Sequence, residues 1–131
     1  LSVRVLPYEP HHRVIQRMAE ADILLLTLAG LPGLELMVPA KLFEYMAVRR
    51  PVLGILPPGA ASKIIEATQA GAVVFPGQAR ELAALLAGWL EAPPAPLAAP
   101  PPAFDRRHLA SLLAHTLDQA MAASNAPGRQ D

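Results

Sequence analysis

A chain of 131 residues has room for one domain with a real core and not for two. Hydrophobic residues make up 53% and charged residues 17%, which marks a globular chain and excludes a disordered one. Eleven basic and eleven acidic residues cancel with no run of either sign, so the clustered basic surface of a nucleic-acid binder is excluded, and the lack of cysteine rules out disulfides and thiolate metal sites.

The absence of cysteine also fits a reducing compartment, and a cytoplasmic setting is the expectation. The longest apolar run, around residues 23–26, is too short to span a bilayer. The first ten residues, LSVRVLPYEP, carry neither an initiating Met nor a signal-peptide pattern and open directly on a strand. They are expected to be the cut edge of a larger protein.

In chain order, residues 3–6 (VRVL) predict a short strand stopped by Pro7. Pro10 suits a first helical position, and Val14, Ile15 and Met18 give one apolar face to a helix reaching Glu20. Residues 22–27 include a continuous apolar run of the kind a strand buried on both faces shows, so the opening reads as a β-α-β unit. Residues 29–38 are a Gly- and Pro-containing loop at the carboxyl end of that strand, where open α/β sheets bind ligands. A helix at 39–48 and a strand at 51–56 follow, separated by the break Arg49-Arg50-Pro51. A helix at 60–70 should end on Gly71 in the left-handed conformation. A strand at 72–75 precedes a helix at 79–90 that turns Leu82, Leu85, Leu86 and Trp89 to the core.

Four strands alternating with helices predict an α/β fold, a Rossmann-like parallel sheet with right-handed crossovers. Residues 1–91 form that lobe. Residues 92–103 read as a Pro/Ala-rich spacer without a core of its own. Residues 104–122 read as a terminal helix capped by Asp105, with Leu109, Leu112, Leu113, Leu117 and Met121 as its stripe, and residues 123–131 as a frayed tail.

Residues 38–54 (VPAKLFEYMAVRRPVLG) concentrate the chemistry. Lys41 and Glu44, three apart on a helix, share a face within the first two turns, where unpaired N–H groups and the macrodipole attract an anion. Val38 and Pro39 lead in, a phosphate would rest on the amides of Ala40 and Lys41, and Glu44 would accept hydrogen bonds from neighbouring hydroxyls. The same spacing equally describes a solvated i,i+3 pair worth roughly 0.2–0.5 kcal/mol.

The segments RVLPYEPHHRVIQRMAEADILLLTL, VPAKLFEYMAVRRPVLGIL and SKIIEATQAGAVV stand in an order that resembles the C-terminal, donor-binding lobe of GT-B glycosyltransferases of the group 1, retaining (family 4-like) type. The likeness lies in the "AD" strand, the P-x-K-x-x-E helix, the R-x-P-V strand and the later AGA turn. It implies a lobe that binds a UDP- or GDP-sugar without a metal, for transfer to a glycan or lipid-linked acceptor held by a separate lobe. By that resemblance Glu44 holds the ribose hydroxyls, and Lys41 with Val38, Pro39 and Ala40 lies beside the diphosphate and sugar. Glu44 and Lys41 are then the residues of the transfer site, while Tyr8 and Glu9 approach the nucleobase. Where many members carry a glutamate eight positions before the ribose one, this chain has Leu36, with Glu35 one place off; the Gly-aromatic turn is Pro7-Tyr8. The acceptor lobe and the first two donor-lobe strands, which in the family lie between the strand at 3–6 and the strand at 22–27, are not in this sequence. The chain alone is therefore expected to bind donor weakly and turn nothing over, its sheet either closing up or staying gapped with exposed edges that invite self-association, and to meet the inner face of a membrane only through the other lobe.

Two rivals stand beside that reading: a non-catalytic α/β interaction module, flavodoxin-like in outline, and a decayed remnant. His11 and His12 point to different faces, and His108 and His115 have no third ligand near them, so no closed metal site is expected. Ser62 and Ser111 lack readable His-Asp partners, and no Gly-rich phosphate loop occurs.

Overall fold

In the computed structural model, which describes residues 2–99 and 102–124, the chain divides into two units between residues 99 and 100. In the first, three short apolar runs become parallel strands: β1 (Leu24–Thr27), β2 (Val52–Ile55) and β3 (Gly71–Val74), in the order β1-β2-β3. Leu24 stands opposite Val52, and Val52 opposite Gly71. Between and around them run α1 (His11–Glu20), α2 (Ala40–Ala47), α3 (Ala60–Ala67) and α4 (Ala79–Glu91).

The core is aliphatic. Leu42, Val52, Leu56 and Ile65 are fully buried, with Met18, Leu24, Leu26, Met46 and Val74 around them. Neither α2 nor α3 is long enough to hold helical structure alone, so burial of Leu42, Tyr45 and Met46 on one and of Ala61 and Ile65 on the other holds them. Ser62 serves α3 locally: its Oγ accepts from the Gly59 N–H at 2.9 Å and its hydroxyl donates to the Gly59 carbonyl at 3.0 Å. Gly59 itself is required by contact, because a Cβ there would overlap the backbone carbonyl of Glu35 in the loop after β1.

Several expectations are corrected. Residues 3–6 form no strand, so the sheet has three strands and not four; Val3 and Val5 are 88% and 91% exposed. A strand exists only through its neighbour's hydrogen bonds, and this segment lies outside the sheet. β1 is buried on one face only: Leu24 and Leu26 point inward, whereas Leu25 and Thr27, on the other face, are exposed. The left-handed residue after α3 is Gln69, at φ 52°, and not Gly71, which opens β3. α4 has no fully buried residue; Leu82, Leu85 and Trp89 are half-buried and Leu86 is exposed. Within residues 92–103, the part up to residue 99 belongs to the first unit: the Leu97 N–H donates to the Arg49 carbonyl at 3.1 Å. Arg49, at φ 59°, is where the chain reverses after α2.

The second unit contains a 3-10 turn (Pro102–Phe104) and α5 (Arg106–Ser124). Asp105 caps α5 as expected, its Oδ1 accepting from the N–H groups of Arg107 at 2.8 Å and His108 at 3.0 Å. Those bonds hold its carboxyl below the usual carboxylate range, the His108 bond contributing most. α5 runs on through Ser124, two residues past the expected end; the rest of the expected tail, 125–131, lies outside the described residues. Leu109, Leu112, Leu113, Leu117 and Met121 are all exposed. Among the described residues no helix is long and apolar enough to cross a membrane.

Candidate functional site

A cleft of about 530 Å³ opens beside the edge of β1. One wall is the strand itself and its continuation, Leu25 to Leu28; the other is the start of α2, with Pro39, Ala40, Lys41, Glu44 and Tyr45, and Met37 from the loop between them. Because α2 joins two parallel strands, it runs antiparallel to them. Its N-terminus therefore lies at the carboxyl end of β1, and Tyr45 lies nearer the strand's start.

The pairing of Lys41 with Glu44 follows from helical spacing, and both line this one cleft. Pro39 is the residue at which α2 begins: its extended backbone (ψ 135°) leads into the helix, and its carbonyl accepts from the Leu42 N–H at 3.0 Å. The amides of Ala40 and Lys41 open the helix and have no intrahelical partner by construction of the α-helix. Val38 is half-buried and is not among the cleft's lining residues.

The other two expected residues lie elsewhere. Tyr8 is 96% exposed, and neither it nor Glu9 lines the cleft. Glu9 instead accepts from two of the three guanidinium nitrogens of Arg17 on α1, Nε and Nη2, the latter at 2.7 Å. That hydrogen bond holds the Glu9 carboxyl below its ordinary range and raises the Arg17 guanidinium. This fork is an exposed pair that ties the N-terminal segment to α1. Glu35 accepts from the Gly33 N–H at 2.7 Å and so shapes the loop after β1, while Leu36 is 80% exposed.

Tyr45, Leu25, Thr27 and Met37 line the cleft without having been expected there. Tyr45 was open to discovery, since it lies one turn after Lys41 and next to Glu44. Its ring is buried and its hydroxyl donates to the Leu25 carbonyl at 3.3 Å, pinning α2 to the strand edge. Burial raises the Tyr45 phenol above its ordinary value, with the Glu44 carboxylate adding to the effect. The folded protein thus favours the neutral phenol. Stability is fully present below the ordinary tyrosine pKa and is lost as pH rises from there through the raised value of Tyr45. Tyr45→Phe should flatten that alkaline loss in pH-dependent denaturant titrations; an unchanged alkaline limb would show that Tyr45 is not its source.

Among the described residues no group of three or more His, Asp or Glu side chains is arranged to hold a metal ion. No family model matches the chain, and no curated protein or solved structure is similar enough to it to count as a match.

Proposed function

We propose that this chain is the donor-binding lobe of a nucleotide-sugar-dependent glycosyltransferase, whose acceptor-binding lobe lies outside this sequence. The observation that carries the reading is the shared cleft of Lys41, Glu44 and the first turn of α2 at the carboxyl end of β1. It is the position at which an open parallel sheet receives a phosphorylated ligand. In this reading the diphosphate rests on the free amides of Ala40 and Lys41, with the Lys41 ammonium as its charge-assisted partner. Glu44, one turn on, accepts hydrogen bonds from the ribose diol. As the glycosidic bond to the phosphate breaks, the ammonium and the helix N-terminus stabilise the departing diphosphate, and the sugar passes to an acceptor hydroxyl on the other lobe, whose proton goes to the departing phosphate oxygen. Tyr8 and Glu9 belong to the nucleobase side only if the N-terminal segment gives up the Glu9–Arg17 fork. The finer fold, a partial GT-B lobe, is part of the same proposal.

The test is thermal stabilisation by UDP, GDP and their sugars, because a ligand that binds only the native state must raise its stability. At a hundredfold excess over Kd the expected gain is about 2.7 kcal/mol. Lys41→Ala and Glu44→Ala should each abolish most of it while leaving the ligand-free melting point nearly unchanged. No shift with any nucleoside diphosphate overturns the donor reading. The isolated chain is expected to transfer no sugar in a coupled assay. The exposed stripe of α5 supports a second reading, an α/β interaction module. That module would show concentration-dependent association and no response to nucleotides.

A further inference from the structure

β1 is the edge of the sheet, and of its outward groups the Leu25 carbonyl accepts from the Tyr45 hydroxyl of α2. The N–H groups of Leu24 and Leu28 donate to the β2-side carbonyls of Pro51 and Ile55, at 2.9 and 3.0 Å. Strand alternation then turns the N–H and C=O groups of Leu25 and Thr27 away from β2, along the open edge. The Tyr45 hydroxyl on the Leu25 carbonyl marks that direction. Exposed edges are ordinarily blunted by a lysine, a proline or a bulge; from Ile23 to Leu28 the chain has none of them, and Leu25 is 53% exposed.

The same chain carries the complement of this edge. Residues 3–6, VRVL, are a β-branched, alternating segment with Val3 and Val5 almost fully exposed and no place in the sheet. Its length equals that of β1. Laid along the edge, alternation sends Val3 and Val5 to the face of exposed Leu25 and Thr27. Arg4 then falls on the opposite side, towards α2, where Glu44 lines the cleft. A strand former outside the sheet and an edge that carries no neighbouring strand, matched in length, apolar face and charge, do not meet within one molecule.

We propose that two copies of this chain exchange these arms, residues 3–6 of each pairing along β1 of the other in a closed two-fold dimer. This pairing covers Leu25 and Thr27 and brings Arg4 into the cleft beside Glu44, so arm and nucleotide compete for that wall, and the dimer is tested without nucleotide.

Sedimentation velocity of the full chain across a concentration series is expected to show a monomer–dimer equilibrium. Thr27→Pro removes an outward N–H that the β1–β2 pairing does not use, a substitution edge strands tolerate. Val5→Pro removes a donor from the arm, outside the sheet altogether. Each should weaken the dimer about tenfold or more, the scale of losing one or two ladder hydrogen bonds, with the helical circular dichroism kept. Leu113→Glu, on the exposed stripe of α5, should leave the dimer unchanged. Because the chain has no cysteine, mixed Arg4→Cys and Glu44→Cys variants should give a heterodimer with a short bismaleimide. A monomer at every concentration, a dimer that survives Val5→Pro, or a dimer lost only in Leu113→Glu overturns the proposal.

Discussion

Gly71→Ala should destabilise the first unit by about 3 kcal/mol or more, a large share of the ~5–15 kcal/mol that a small domain has. Gly71 opens β3 at φ 156°, directly opposite Val52 of the central strand. An added Cβ would overlap the Val52 carbonyl oxygen, which is backbone and fixed within the β1-β2-β3 ladder. The Val52 N–H is held as well, donating to the Ala70 carbonyl at 2.9 Å, so the strand cannot retreat without losing its register. Two residues earlier the opposite change should help. Gln69 occupies the left-handed region at φ 52°, where a side chain costs roughly 1–2 kcal/mol, and Gln69→Gly should recover about 1 kcal/mol of it. Urea titrations of both variants check the pair. If Gly71→Ala unfolds at the wild-type midpoint, β3 does not approach β2 in this way.

That contrast shows what a one-dimensional reading can and cannot hold. A glycine after an apolar helix looks like the residue that ends it, and local rules assign Gly71 that task. The actual reason for the glycine is the distance between two strands, which exists only once the sheet has formed. The alternation from Ile23 to Phe75 was legible because each strand and helix states its own period. Which face of a strand is covered was not. The run 22–27 is equally apolar on both sides, and only the packing of the folded sheet decides that Leu25 and Thr27 stay exposed. Residues 3–6 have strand chemistry, but pairing belongs to two segments together, and their partner is not in this sheet.

The candidate site divides in the same way. Lys41 and Glu44 were legible together because three residues on one helix fix their relation whatever the helix docks against. Tyr8 and Glu9 were assigned to the nucleobase by resemblance alone. The Arg17 guanidinium, two turns into α1, instead draws Glu9 to that helix by a two-pronged pair that spacing across a loop does not reveal. Tyr45 is one turn after Lys41, but helical spacing alone does not show that its hydroxyl meets the strand edge. Its ring is core, and its hydroxyl also reaches that edge.

Leu42→Ala should cost about 2–5 kcal/mol and lower the melting temperature by at least about 8 °C. Leu42 has no exposed surface and lies between Lys41 and the Glu44–Tyr45 pair on α2, a helix of eight residues. A helix that short has negligible stability in water alone, so the contacts of Leu42, Tyr45 and Met46 decide whether α2 exists. The cavity left by Leu42→Ala sits under the first turn, and the helix relaxes into it or loosens. Either response moves the Ala40 and Lys41 amides relative to Leu28 and widens the cleft wall that Lys41 and Glu44 share. Leu42→Ala should therefore abolish nucleotide-dependent stabilisation even at temperatures where the variant remains folded by circular dichroism. Glu44→Ala, which removes a side chain from the cleft and not from the core, should remove the same response with a ligand-free stability change within about 0.5 kcal/mol. If Leu42→Ala retains the full response, ligand binding does not depend on how α2 is seated. The anion would then have to be held somewhere other than the start of that helix.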